Sequence, residues 1–345
     1  MVPMPVPMRT AAGWAEDMDA PDATQQARTL WDYGLACLGR GDFFGALAFL
    51  GGLEREFPGQ VDAFPDLPER LAFCRERLDR PVRPPVPGPS ASAPGPCPVC
   101  AAPRRAFERA LDKDWVLCDG CGLLQYERDP ALAERLDRGE SGGADQPPDS
   151  LVHRREQYFC DLFLNGLGFR DVLLYGIGWS LVLKTLRERG VAAVGCDLWR
   201  PLVEARRREF GPEAFHHRDE LPETRFDLIS AFEVFEHFQN PLEDVGFLAR
   251  RLKDEGLVFG CTDFWHGGSL LDHPSADPTY WKHVTHVTAW TWSSMREAAR
   301  RVGLEAAFFK SDTDGFGAKV FFALYRGERT AAFLAGLPKI FVNAY

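Results

Sequence analysis

The stretch Asp171–Trp199 reads DVLLYGIGWSLVLKTLRERGVAAVGCDLW. Val172–Tyr175 is a short apolar run, as expected of a parallel strand buried on both faces. Gly176 and Gly178 follow at once. Leu181, Leu183 and Leu186 then recur at roughly helical spacing, and Gly190 stops that helix. Val191–Cys196 is the next strand, with Asp197 at its end. Glycine at 176 lets the backbone turn tightly and approach a ligand, and glycine at 178 leaves room for one. Asp197 lies 19 residues after Gly178, near the spacing at which an acid at the second strand's tip meets ribose hydroxyls. A carboxylate suits that place because it accepts two hydrogen bonds from a vicinal diol. The alternative is a tight turn in an α/β protein that binds no nucleoside.

Further along, Phe226–Pro241 reads FDLISAFEVFEHFQNP, a buried strand ending in carboxylates and a histidine. Leu242–Leu252 is an amphipathic helix, and Gly256–Gly260 begins another strand. Together with the glycine stretch, these segments resemble the class I S-adenosylmethionine-dependent methyltransferases. They are most similar to the branch whose fourth strand reads FDxIxxxEVxEHxxNP. His286–Thr291, HVTAWT, resembles that branch's late H-V-x-x-x-T segment. The resemblance runs from roughly Leu151 to Arg326.

The resemblance implies an α/β, Rossmann-like domain of seven strands over 151–345. It implies S-adenosylmethionine held by Gly176, Gly178, Ser180, Asp197, Asp219 and Glu233. It places catalysis at His237, Glu236 and His286 and implies a small-molecule methyl acceptor, such as a nucleotide-linked sugar or another secondary metabolite. In related sugar C-methyltransferases the histidine of the E-H pair is implicated as the base. The alternative for His237 is a histidine that holds its loop by hydrogen bonds. His286 reads either as a substrate or acid/base contact, or as part of an ordered loop packed on Trp290 and Trp292. Tyr280 and Trp281, beside His283, suit a sugar or ring acceptor. Tyr158, on a helix over Leu151–Leu167, either touches the cofactor or packs. The chain departs from the family at Leu174, where the first motif carries an acid, and at Ser180, where it carries a third glycine. Bulky Trp179 precedes that serine.

Nine cysteines are present, and four of them form two C-x-x-C pairs, Cys97/Cys100 and Cys118/Cys121, with seventeen residues between the pairs. Each pair can aim two thiolates at one ion, and the gap suits a hairpin that closes a tetrahedral four-thiolate zinc site. Four thiolates leave no open position, so the metal reads as structural. The alternatives are free cysteines or two redox pairs. CPxC followed by CxxCGLL also looks like the ribbon preceding the catalytic domain in many methyltransferases of this branch.

At 345 residues two domains are expected. Residues 1–22 read as a flexible tail and 23–80 as a helical segment. Within it Gly34, Ala46 and Pro58 recur at 12-residue intervals and resemble a tetratricopeptide repeat. That segment is either a helical hairpin packed on itself or on the main domain, or a partner-binding or dimerisation element. Residues 81–96 form a Pro-rich linker, 97–127 the zinc ribbon and 128–150 a mobile loop. Ala214–Asp219 reads as the third strand, Gly315–Gly317 as a late turn and Val320–Tyr325 as the final strand. The formal charge of −10 argues against broad attraction to nucleic acid, and no run reaches the length of a membrane span. No secretion signal is expected, and the cysteine usage points to a reducing cytoplasm. Two further readings stand beside the enzyme: an interaction protein with a degenerate cofactor pocket, and a methyltransferase acting on RNA or protein.

Overall fold

The computed structural model describes residues 23–39, 43–79, 95–110, 113–126, 151–265, 267, 269–270, 280–283, 285–311, 319–337 and 340–341. The expected tail over 1–22, nearly all of the 81–96 linker, the 128–150 loop and the Gly315–Gly317 turn lie outside the described residues.

Three helices open the described chain: α1 (Ala23–Gly39), α2 (Phe43–Glu56) and α3 (Leu67–Asp79). A Cβ on Gly34 would stand 2.4 Å from Leu50 Cδ2, so glycine lets α1 press directly onto α2. Trp31, Leu50, Leu53, Phe64, Leu67 and Leu71 form the core of this hairpin and its third helix.

The cysteine pairs lie at the ends of a small antiparallel sheet of β1 (Arg104–Ala110), β2 (Lys113–Cys118) and β3 (Leu124–Tyr126). After α4 (Leu151–Leu167) the chain alternates strand and helix: β4 (Asp171–Tyr175), α5 (Val182–Glu188), β5 (Ala192–Asp197), α6 (Arg200–Phe210) and β6 (Phe215–His217). It continues with β7 (Phe226–Phe232), α7 (Pro241–Arg250), β8 (Leu252–Asp263), β9 (Thr288–Ala289) and α8 (Trp292–Arg301). The last elements are β10 (Glu305–Ser311), β11 (Lys319–Tyr325), α9 (Glu328–Gly336) and β12 (Ile340–Phe341).

The main sheet has the order β12-β10-β11-β8-β7-β4-β5-β6. Strands β4 to β8 are mutually parallel, and β11 runs antiparallel to both β8 and β10. This is the expected seven-stranded α/β sheet, with one addition. The two-residue β12 pairs parallel with β10, so β11 is not the final strand of the chain.

Alternation along the strands builds two cores. Leu173, Tyr175, Ile229, Ala231, Val258, Phe322 and Leu324 face α7 and α8, while Val172, Leu174, Leu228, Phe232, Phe259 and Phe321 face α4, α5 and α9. Sandwiched between helices, the strands become continuously apolar, which is why they read as short hydrophobic runs. From β4 the order runs outward to β5 and β6; from β7 it runs the other way to β8. The crevice at the carboxyl ends of β4 and β7 is therefore the topological switch point, the usual ligand position in an open α/β sheet.

Strand β9, from far down the chain, pairs with β3, making the cysteine-bearing sheet four-stranded. Cys97, Val99, Cys118, Cys121 and Leu123 share a core with Phe235, Trp290 and Met295 of the main domain. Gln125 Nε2 donates to Gln239 O at 2.8 Å, Tyr126 N to Val287 O at 2.8 Å and Thr291 Oγ1 to Cys121 O at 3.1 Å.

Candidate active site

The glycine turn follows β4. Gly176 has φ 68° and Gly178 φ 58°, the left-handed region where a side chain is strained. A Cβ on Gly176 would lie 2.5 Å from Val234 Cγ2, whereas one on Gly178 would meet nothing within 4 Å. The first glycine is thus needed for packing against the end of β7, and the second borders open space. Gly176 N donates to Cys196 O at 2.8 Å, tying the turn to β5. Asp197, at the tip of β5, accepts from Gly178 N at 3.1 Å and from Trp199 N at 2.9 Å. Each carboxylate oxygen keeps capacity for another donor. Burial raises the Asp197 pKa, opposed by the Trp199, Gly178 and Leu198 amides.

Ser180, in place of a third glycine, is fully buried. Its hydroxyl donates to Glu156 Oε2 at 3.3 Å and accepts from Val182 N at 3.2 Å, opening α5. Glu156 comes from α4 and also accepts from Ser230 Oγ at 2.6 Å. Ser230 pairs in register with Leu174. A carboxyl from the covering helix therefore stands beside the strand that lacks its own acid. Sequence reasoning missed Glu156, although it precedes Phe159, Cys160 and Phe163 by three, four and seven residues and so shares their apolar face. Tyr158, considered for this role, is half-buried and packs edge-on to Phe159, with centroids 5.1 Å apart.

Burial pushes the Glu156 pKa up to about 7, against the two serine hydrogen bonds. Because this folded value exceeds that of an exposed glutamate, the stability it contributes is full below about pH 4.5 and is lost as pH rises through 7. Glu156→Gln keeps the shape without the titration. Urea unfolding should find the variant similar to wild type at pH 4.5 and more stable at pH 8, by up to about 3 kcal/mol. An unchanged difference between the two pH values would show that Glu156 is not held as a buried acid.

Trp179 does not stand alone in the turn: the Arg206 guanidinium lies 5.8 Å from its ring centre. Asp219 follows β6 in a short turn over Arg218–Glu220. Its carboxylate is 72 % exposed, 3.5 Å from His217 Nδ1.

Glu233 follows β7 in a turn with φ 55°, an unusual conformation for a non-glycine residue. Its carboxylate pairs with Lys319 Nζ at 2.5 Å and accepts from Cys261 Sγ at 3.0 Å. Burial raises the Glu233 pKa to about 7; Lys319 opposes this, while Glu236 and Asp263 add to it. Lys319 also pairs with Asp263 at 3.4 Å. Burial works against the Lys319 charge, but the surrounding carboxylates more than offset it and its pKa is raised.

Glu236 is fully buried and accepts from Tyr280 Oη at 2.6 Å and Thr262 Oγ1 at 2.9 Å. It therefore does not hydrogen-bond its neighbour in sequence, contrary to the simplest picture of an acid orienting His237. That orientation comes instead from Thr285 O, 3.1 Å from His237 Nδ1. With Nδ1–H donated there, Nε2 is the nitrogen with the free lone pair. Burial lowers the His237 pKa, opposed by Thr285 O, Glu233 and Asp197, so the ring is neutral at pH 7.

His286 lies with its ring centre 4.7 Å from that of His237, and His283 lies 4.8 Å from His286. Buried His286 Nδ1 has no hydrogen-bond partner among the described residues. Burial, then His237, His283 and Lys113, hold its pKa far below the usual histidine value. One donor atom each from Glu236, His237 and His286 lies within 4.8 Å of the others. The structure thus brings together all three residues expected to carry catalysis. Tyr280 and Trp281 do not offer open faces to an acceptor. They are 6 % and 2 % exposed, and Trp281 packs edge-on against Trp115 with centroids 6.0 Å apart.

The four cysteine sulfurs also lie within 4.8 Å of one another, with Cys97–Cys121 at 3.7 Å and Cys100–Cys118 at 3.3 Å. Tetrahedral zinc with bonds of 2.3 Å requires sulfurs about 3.8 Å apart, so a small expansion would fit it. The two loops match. Ala101 N donates to Cys97 O and Gly122 N to Cys118 O, with φ of 64° and 73° at those residues. Val99 N points at Cys97 Sγ, and Gly120 N and Cys121 N point at Cys118 Sγ, all within 3.4 Å. Amides aimed at sulfur are the donor environment a thiolate needs.

Residues 151–307 match a family model described as a methyltransferase domain. This stretch is a methyltransferase domain. Over 108 residues the chain is 32% identical to the ubiquinone biosynthesis O-methyltransferase of Aliivibrio fischeri strain MJ11, covering 28% of this chain and 46% of that protein. The chain spans about half the length of the curated relatives it matches. Among solved structures it is similar to the putative methyltransferase complexed with the Haloferax volcanii Trm112 activator, at 18% identity, 59% and 100% coverage of the two chains and a TM-score of 0.39. It is also similar to CalS10, an amino pentose methyltransferase of Micromonospora echinaspora, at 13% identity, 58% and 98% coverage and a TM-score of 0.39. Within the methyltransferase domain the described helices include none long and apolar enough to cross a membrane, and the same holds for the other described helices.

Proposed function

We propose that the protein methylates a small molecule, using S-adenosylmethionine bound across the switch point of the main sheet. One observation carries this reading. The glycine turn with Asp197 and the Glu233–His237 segment follow the carboxyl ends of neighbouring parallel strands, on the two sides of the point where the strand order reverses. The cofactor would supply an electrophilic methyl group on a sulfonium. Asp197 would hold the ribose hydroxyls, Gly178 would leave room for the nucleoside, and Glu233 would supply negative charge near the cationic end. His237 Nε2 would take the acceptor's proton as the acceptor–methyl bond forms. The buried Tyr280 and Trp281 would exclude water rather than stack on the acceptor.

The acceptor class we infer is a small molecule bearing a hydroxyl or an acidic carbon, such as a catechol or a nucleotide-linked sugar. The relatives named as O-methyltransferases support a hydroxyl, and the E-H motif shared with the resembled sugar C-methyltransferases supports an acidic carbon. The cysteine cluster would hold a structural zinc ion, and residues 23–80 would meet a protein partner. The test is methyl transfer from radiolabelled S-adenosylmethionine to 3,4-dihydroxybenzoate and to deoxythymidine-diphosphate-linked keto sugars. Incorporation into either supports the reading; incorporation only into RNA or protein would replace it.

Asp197→Ala should weaken S-adenosylhomocysteine binding at least ~10-fold, the loss of two charge-assisted hydrogen bonds, without unfolding the domain. Calorimetric titration checks this, and unchanged affinity would remove Asp197 from the ribose site.

A further inference from the structure

We propose that Lys113, on the cysteine-bearing sheet, is a positioning residue that fixes the histidine segment and, through it, the orientation of His237. The functional half of this inference rests on the methyl-transfer reading above; the clamp itself does not.

Lys113 is 5 % exposed. Its Nζ donates to three main-chain carbonyls: Trp281 O at 3.1 Å, His283 O at 2.5 Å and His286 O at 2.8 Å. An ammonium has three donors and no acceptor, so these carbonyls use its whole capacity. A neutral amine would turn its lone pair toward one of them. The rings of Trp115 and Tyr126 lie 5.5 and 5.9 Å from Nζ and close the other side of the cage. Burial lowers the Lys113 pKa to about 8, which leaves the ammonium dominant at neutral pH. Among the described residues it makes no ion pair. Burying an unpaired charge is costly, and here the three carbonyls and the two aromatic rings offset that cost.

The gripped segment has little structure of its own. Residues 280–282 make one short turn, and His283 and Thr285–Val287 belong to no helix or strand. Buried carbonyls in such a stretch need partners from elsewhere. Thr285 lies between two of the carbonyls that Lys113 holds, and Thr285 O is the partner of His237 Nδ1. Holding the backbone at 283 and 286 therefore fixes the carbonyl that sets which His237 nitrogen is free. Thr285 Oγ1 also lies 2.6 Å from His283 Nδ1, so the same backbone places that ring. Lys113 touches none of the groups that would react; it acts through the segment. Its position was readable as a charge at an inward place in β2, two residues before Trp115 and four before Leu117.

The experiment uses the full zinc-loaded chain and its Lys113→Met, Lys113→Gln and Lys113→Arg variants. Amide exchange is followed at His286 and Val287, which donate to His283 O and Glu236 O. In Lys113→Met, protection at both amides should fall ~100-fold, while exchange in β4 and β7 is unchanged. S-adenosylhomocysteine affinity should stay within about twofold. With 3,4-dihydroxybenzoate as acceptor, kcat should fall ~100-fold or the acceptor KM should rise, the cost of about 1 Å of misplacement, with partial recovery in Lys113→Arg. Unchanged protection in a folded Lys113→Met protein would overturn the proposal, as would unchanged kinetics. Should the variants fail to fold, wild-type exchange decides: unprotected His286 and Val287 amides would equally overturn it, and protected ones support it. Exchange is measured without cofactor or acceptor, so a failed methyl-transfer assay and a failed clamp are separate results.

Discussion

His237→Ala should lower kcat/KM by ~100- to 10,000-fold, the range that a positioned general base contributes, while cofactor affinity stays within about twofold. The physical basis is the fixed tautomer. Thr285 O holds Nδ1–H at 3.1 Å, leaving Nε2 to accept a proton. His237→Gln would keep a donor for Thr285 O without supplying a base, and should be equally impaired. The pH profile adds a signed expectation. Burial lowers the His237 pKa, so the base stays competent below the ordinary value of about 6.5. The acid limb of kcat/KM should therefore fall with a midpoint below 6.5. Initial rates across pH, with calorimetry for the cofactor, check both points. Full activity in His237→Ala would leave it a residue that only holds its loop.

Loss of the four-cysteine site, proposed above to hold zinc, should destabilise the whole methyltransferase domain and not just the small sheet that carries it. The cysteine loops share one core with Phe235, Trp290 and Met295, and β9, just before α8, completes the cysteine-bearing sheet. Closed four-thiolate zinc sites contribute folding free energy of roughly 10 kcal/mol in small peptides. Even a few kcal/mol of that would lower the melting temperature by about 10 °C. Cys121→Ser should lose bound zinc and melt in one transition at least ~10 °C lower, as read by calorimetry with metal analysis. A separate low-temperature transition with the main one unmoved would show an independent ribbon. Stoichiometric zinc retained in Cys121→Ser would remove that cysteine from the site.

The local features of this fold were legible in the sequence because they are local. Val172–Tyr175, the turn at Gly176 and the helix to Gly190 follow from apolar runs and glycines within thirty residues, and the structure has them there. The paired C-x-x-C loops are legible for the same reason. What the sequence hid are contacts between distant segments. Nothing around Glu156 says that it will meet Ser180 and Ser230, and nothing near Lys113 names carbonyls some 170 residues away. Tyr280 and Trp281 look like an open aromatic platform until Phe107, Trp115 and Leu117 are packed against them. Strand β12 escaped because two residues carry no periodicity. Glu236 and His237 are adjacent in sequence, yet they find different partners: Tyr280 and Thr262 for the carboxylate, Thr285 O for the imidazole.

The most direct measurement is titration calorimetry of the purified, zinc-loaded protein with S-adenosylmethionine and S-adenosylhomocysteine. Binding of one equivalent at micromolar strength is expected, with Leu174, Trp179 and Ser180 in place and Glu156 beside them. Heat changes indistinguishable from dilution, in a folded sample with and without 3,4-dihydroxybenzoate, would contradict a cofactor site at the switch point.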